Sequence, residues 1–383
     1  MALKVTERGT IPPFIVMDVL RQANERAAAG HDVLHLEVGQ PGGGPPQRVI
    51  RAAHEALDAN RLGYADALGL PALRRAIATH YEHWYGVPVP TDRIVATMGA
   101  SAAFVLAFLA AFDAGDRVAL GTPGYPAYRN ILKAVDVTPV PLPVGPETRF
   151  QPTPAHLDAL DEPVDGLIVA SPNNPTGTML PPDDLKALAA ACEARGIRLI
   201  SDEIYHGITF GEPAATALAA GDSAVVVNSF SKYFAMTGWR LGWMVVPDGM
   251  ARAMECLAQN LFISPSTLSQ LAGVAAFDAT AELDARVARY ARNREILLDG
   301  LPDAGFGDLA PADGAFYVYA DVHRLTDDSE ALCRQMLAET GVAATPGVDF
   351  DPERGHHYVR FSFAGDTAEI EEAVRRLKAW RRG

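Results

Sequence analysis

NSFSKYFAMTGWRLGW, residues 228–243, is the stretch from which the rest of the chain can be read. A β-branched run over 224–227 leads into Ser229, Ser231 and Lys232, and Arg240 follows a Gly-Trp pair before an apolar strand over 241–246. One amine, two hydroxyls and one guanidinium are thereby drawn into a single turn. A nucleophilic lysine must lose its proton near neutral pH, and burial beside a second cation such as Arg240 lowers its pKa in that direction. Serine hydroxyls, Ser229 first among them, and a planar guanidinium are groups that hold a phosphate. The combination points to an amine that attacks an aldehyde carried by a phosphorylated cofactor.

Upstream of this stretch, strands end repeatedly in polar turns. The strand over 197–201 runs into Asp202-Glu203-Ile204-Tyr205, and the strand over 166–170 into SPNNPTGT, where Asn174 precedes a proline. Open parallel sheets place ligands at such strand ends. The strand over 117–120 leads to Tyr125 in a Pro-Gly-Tyr-Pro turn, a rigid place from which a ring can lie flat against another. A strand over 94–97 ends in MGAS before an apolar helix predicted over 102–112. Strand, small-residue turn and helix N-terminus form an anion site at Ala100 and Ser101, and Ser101 also suits an N-cap. From about residue 45 to 275 strands alternate with helical patterns, which predicts an α/β fold with a mostly parallel central sheet covered by helices.

The flanks are organised differently. IPPF, residues 11–14, is extended and precedes a helix ending at Gly30; VLHLEVGQP, 33–41, runs into a glycine-rich connection lacking any nucleotide-loop spacing. Downstream come a charged helix over 281–301, the alternating strand GAFYVYADV, a helix over 328–340, the strand HHYVRFSFA over 356–364, and a final helix over 367–382. We expect residues 1–44 to form an arm and part of a small α+β domain, 45–280 the large domain, and 281–383 the rest of the small one. Arg360 stands among apolar neighbours, where an unpaired guanidinium is costly and a bidentate carboxylate, internal or from a substrate, would satisfy it. His80 and His83 read as a solvated helix face, and His356 and His357 as neighbours on opposite faces of a strand, so neither pair predicts a metal.

Composition limits the partners. The chain has 383 residues, 49% of them apolar, enough for two cores, and a net charge of −14 disfavours nucleic acid and anionic membranes. Three scattered cysteines suit a reducing compartment, and there is neither a leader pattern nor an apolar run long enough for a span. A cytoplasmic protein is expected.

The string SxSKxFxMTGWRxG, with the N-P-T-G and Y-x-x-x-x-G-x-x-x-L-R patterns, resembles the class I and II aminotransferases, the fold type I enzymes that use pyridoxal 5′-phosphate. The resemblance implies that Lys232 forms the internal Schiff base and that Arg240, Ser229, Ala100 and Ser101 hold the phosphate. It implies that Tyr125 stacks on the cofactor, that Asn174 and Tyr205 bond its 3′ oxygen, and that Asp202 faces its ring nitrogen. Arg360 and the Gly39 backbone would hold the substrate α-carboxylate, and an N-terminal segment like IPPF would close over it. Tyr64 would reach the phosphate of a neighbouring subunit, which implies a homodimer with shared sites. The activity expected is ping-pong transfer of an amino group between an L-amino acid and a 2-oxo acid, Lys232 carrying the α-proton.

No lysine follows the small pair at the phosphate helix, and QNLFISPSTLSQ, residues 259–270, carries no cation. A neutral or apolar donor is expected. Two other readings stay open on sequence grounds: elimination by the same site, as in C–S lyases or aminocyclopropane-carboxylate synthases, and a non-catalytic cofactor-binding sensor.

Overall fold

The protein is described here from a computed structural model covering residues 3–382. Its strands are β1 (Leu34–His35), β2 (Ile94–Thr97), β3 (Arg117–Thr122), β4 (Thr138–Pro143), β5 (Gly166–Ala170), β6 (Arg198–Asp202), β7 (Val225–Ser229), β8 (Gly242–Val245), β9 (Gly307–Leu309), β10 (Tyr317–Asp321), β11 (Val342–Ala343), β12 (Thr345–Pro346) and β13 (Tyr358–Ser362). Seven of them form one sheet in the order β2-β8-β7-β6-β5-β3-β4. β8 pairs antiparallel with β2 and β7, and every other pair is parallel. β2 therefore points the same way as β7, and β2, β3, β5, β6 and β7 end along one edge.

The strands read as near-continuous apolar runs because helices cover both faces. Successive side chains alternate between two cores: Val225 and Val227 belong to the one that holds Phe104 and Phe108 of the helix Gly99–Ala111, and Val226 to the one that holds Ile77 and Leu188. A second, antiparallel sheet has the order β12-β13-β10-β9. Segments from both ends of the sequence meet beside it: Leu34 of β1 pairs with Val342 of β11, and the Ser362 N–H donates to the Leu36 carbonyl at 2.7 Å. The long helix Thr280–Asp303 packs against the helix Thr367–Arg382.

Several local expectations are corrected. The apolar helix begins at Gly99, three residues earlier than read, so Ser101 lies inside it and Met98 occupies the cap position without a side-chain bond. His80 is buried, with Trp84 and Phe277 at ring distances of 4.4 and 5.1 Å, and is no solvated face; burial lowers its pKa to about 3. His356 and His357 lie in a 3-10 turn before β13 with rings 4.0 Å apart, so they do not point to opposite faces. β10 is buried on both faces rather than alternating, because a helix covers one side and the large sheet's loops the other. Among the described residues no helix is long and apolar enough to cross a membrane.

Candidate active site

A cavity of about 250 Å³ opens at the common edge where β5, β6 and β7 end, and Lys232, Asp202, Asn174, Tyr125, Tyr205, Ser229, Ala100, Ser101, Arg240, Gly39 and Arg360 all line it. Eleven residues drawn from across the sequence are thus brought to one place by the parallel strand ends. Tyr64 is not: it is 87% exposed and lines a separate surface groove with Leu62 and the segment 264–268.

Lys232 leaves β7 through the turn that follows it and donates from Nζ to the Gly39 carbonyl at 2.7 Å. Burial lowers its pKa to about 8; the Arg360 charge pushes the same way, Asp202 opposes, and Arg240 contributes less than Arg360. The lysine is therefore tuned chiefly by its enclosure and by a cation 128 residues away in sequence (360 − 232), not by its neighbour in the quoted stretch. Asp202 ends β6, fully buried rather than solvated. Its Oδ2 accepts from the Tyr128 hydroxyl and its Oδ1 from the Ile204 N–H at 3.1 Å. Burial raises its pKa to about 6, against the pull of those two bonds and of Lys232.

Arg360, 2% exposed, is held in plane by aromatic faces, its guanidinium 4.3 Å from the Tyr317 ring and 4.7 Å from Phe350. Nη1 donates to Asn174 Oδ1 at 2.7 Å, and Nη2 to the Glu37 carbonyl and to Thr345 Oγ1, while buried Nε has no partner. Every acceptor is neutral, so a buried positive charge remains without a carboxylate among the described residues, a costly arrangement that an anionic ligand would relieve. Gly39 lies so close that a Cβ there would stand 1.7 Å from the Tyr317 hydroxyl, which leaves room for backbone alone. Tyr205 donates to, or accepts from, the same Tyr317 hydroxyl at 2.7 Å.

At the opposite pole the helix Gly99–Ala111 starts with no side-chain cap, leaving its first amides open. Gly99 has φ +77°, and an added Cβ would meet Arg240 Nη2 at 2.5 Å. Arg240 is itself left-handed at φ 51° and donates to the Thr237 carbonyl at 3.0 Å, and Ser229 Oγ and Ser231 Oγ are 2.9 Å apart. Uncapped amides, paired hydroxyls and a guanidinium packed on a side-chain-free residue make a cradle for a dianion. With Asp202 ready to face a protonated ring nitrogen, the residues present fit pyridoxal 5′-phosphate.

Among the lining residues that the sequence did not mark for a site role, Tyr128, Tyr317 and Thr237 carry hydroxyls. Ser231, the second hydroxyl of the Ser-x-Ser-Lys string, lines the cavity as well; Tyr128 lies one helical turn beyond Tyr125; Tyr317 shares its strand with a second, equally buried tyrosine, Tyr319, that does not reach the cavity, so nothing in the pattern singles it out.

Comparison with known proteins gives the same reading. The family model for aminotransferase class I and II matches residues 31–377. The valine–pyruvate aminotransferase of Mycobacterium tuberculosis is 54% identical over 384 residues, covering 99% of each chain. The crystal structure of an aminotransferase from the same organism superposes with a TM-score of 0.98 at 53% identity, over 100% of both chains. That of the Thermus thermophilus aspartate aminotransferase with maleate gives 0.93 at 30% identity, over 99% of this chain and 100% of that one. With the match running through both sheets and every strand end of the cavity, the chain belongs to the class I and II aminotransferases and is a pyridoxal-phosphate-dependent transaminase acting on amino acids and 2-oxo acids.

Proposed function

We propose that this transaminase takes its amino group from a small apolar L-amino acid, valine foremost, and gives it to pyruvate. One observation carries the reading. The described residues lining the cavity include Phe14, Val16, Met17, Val38 and Ile131, and their cations are Lys232, Arg240 and Arg360, each with a task of its own. None is left for a second carboxylate, so an acidic donor would bury an unpaired charge at high cost. The name of the 54% identical relative agrees.

Arg360 binds the α-carboxylate, oriented by Asn174, Thr345 and the two aromatic faces, with the Gly39 backbone alongside. Lys232 Nζ, freed from its bond to the Gly39 carbonyl, takes the proton from the α-carbon and would deliver it to the cofactor carbon on the far side of the amino nitrogen, two bonds away; an amine with a pKa near 8 serves both directions at neutral pH. Asp202, fixed by Tyr128 and Ile204, keeps a negative charge beside the ring nitrogen. Bound pyridoxal phosphate supplies the electron sink for the α-carbon's negative charge. Phe14, edge-on to Tyr125 at 5.7 Å, helps to keep water from the α-carbon. Ping-pong kinetics follow, because one amino acid must leave as its 2-oxo acid before the second binds.

The exposed Tyr64 supports a homodimer in which it completes the partner's phosphate site. The three free cysteines suit the cytoplasm, and residues 45–280 serve as the cofactor-binding part, the remainder as the part that carries Arg360. The test is a donor profile with pyruvate as acceptor. L-valine should exceed L-aspartate by at least a hundred-fold in kcat/KM, roughly what one unpaired buried charge costs; faster turnover of L-aspartate would overturn the reading.

A further inference from the structure

The helix Ile15–Ala28 has no cap in its own sequence: Phe14 occupies the N-cap position, and no side-chain bond is made there. Its first amides are bound instead by a residue from the far end of the chain. Asp349 Oδ1 accepts from the Ile15 N–H at 3.2 Å and Oδ2 from the Val16 N–H at 3.1 Å, with Asp349 only 1% exposed. A carboxylate there satisfies two orphan donors and the positive end of the helix dipole together.

The position of Asp349 matters because of what flanks it. Phe350, the next residue, carries one of the two aromatic faces on the Arg360 guanidinium, and Thr345, four residues earlier, bonds Arg360 directly. The Asp349 carbonyl accepts from Arg129 Nη2 at 2.6 Å, and the Phe350 carbonyl from the Gly124 N–H at 3.1 Å, so both ends of the Tyr125 turn and its helix are tied to the same short segment. Phe14, Val16 and Met17, at the start of the capped helix, line the cavity, and Phe14 meets Tyr125 edge-on. The segment 345–350 thus touches the groups that read the α-carboxylate on one side and the groups that wall the cavity on the other.

We propose that Asp349 is a positioning residue for donor selection: by fixing the first turn of the helix Ile15–Ala28 it sets the distance between the apolar wall of Phe14, Val16 and Met17 and the carboxylate anchor Arg360. A donor is then measured between two points held by one segment. Its side chain has to fill that span, so valine gains contacts that alanine lacks. The inference rests on the apolar-donor reading above, with Arg360 as the carboxylate site.

The test is the amino-donor half-reaction followed by absorbance of the bound cofactor in single turnover, with L-valine and L-alanine titrated separately. Wild type comes first: a valine preference supports the apolar-donor reading, and its absence overturns that reading before any variant is made. In Asp349→Ala the valine:alanine ratio of second-order rate constants should fall at least ten-fold, through weaker valine binding, with alanine changed less than three-fold. Asp349→Asn, which keeps one acceptor oxygen, should restore most of the ratio. Ile15→Pro deletes one of the two N–H donors at a position where proline suits a helix start, leaves Asp349 in place, and should lower the ratio in the same direction; it carries the test if Asp349 variants do not fold. Equal losses for both donors, or an unchanged ratio in Asp349→Ala or Ile15→Pro, would overturn the proposal while leaving the valine preference of the wild type standing.

Discussion

Lys232 and Asp202 set the pH behaviour of the site in opposite directions. An ordinary lysine has lost its proton from only a small fraction of molecules at pH 8, whereas Lys232, lowered to about 8 by burial, has lost it from half, a gain of roughly 150-fold in reactive amine. Capture of pyridoxal phosphate by the cofactor-free protein should therefore rise with pH, level off above about 8, and fall away below about 6, where Asp202 takes up a proton. Absorbance stopped-flow across pH 5–9.5 measures both limbs, and Lys232→Ala should lose the visible band altogether. Tyr128→Phe removes a bond that lowers the Asp202 pKa, so the acid limb should move to higher pH with the alkaline limb in place. Arg360→Gln removes the buried charge that awaits a carboxylate; kcat/KM should fall by about 3 kcal/mol, roughly 100-fold, for donor and 2-oxo acid alike. Most of these residues were legible because each closes a strand that the pattern marks. Tyr317 and the dominance of Arg360 over Arg240 at Lys232 were not, since both depend on which distant strands lie side by side.

The helix Gly99–Ala111 illustrates what the sequence hides at the scale of an element. Gly-Ala-Ser reads as a turn, yet these residues are its first turn, left uncapped so that the amides stay available to an anion. Gly99 is required twice over, by its left-handed φ and by the Arg240 guanidinium against it. Gly99→Ala should therefore lower the stability of the cofactor-free protein by about 1–2 kcal/mol, because the left-handed strain is present before any ligand binds, and should also weaken cofactor binding in an equilibrium titration as Arg240 is displaced. The same blindness applies to the helix Pro71–Tyr85. Its buried His80 could not be told from a surface histidine by helical spacing, because the aromatic residues that cover it come from another helix end, at Phe277, as well as from its own Trp84.

For the whole molecule, the α/β class and mostly parallel sheet were readable from the alternation of strands and helices. The strand order was not, because β8 inserts between β2 and β7, a pairing decided by packing rather than by pattern. If sites are shared across a dimer, Lys232→Ala and Tyr64→Ala chains should complement each other. Mixed after dissociation, two inactive or weak preparations should regain about a quarter of wild-type activity, since half the dimers are mixed and each holds one intact site; no recovery would place Tyr64 outside the site. The joining of β1 to β11 and the capping of Ile15 by Asp349 also bear on how the protein is made. At ordinary translation speeds the partner of Leu34 emerges roughly 15–60 s after it. The large sheet, whose strands span residues 94–245, can assemble in that interval, while the segment that walls the cavity waits unpartnered. The nascent chain thus has a built-in period during which its cofactor pocket stands open to the cell before its own last-made residues shut it.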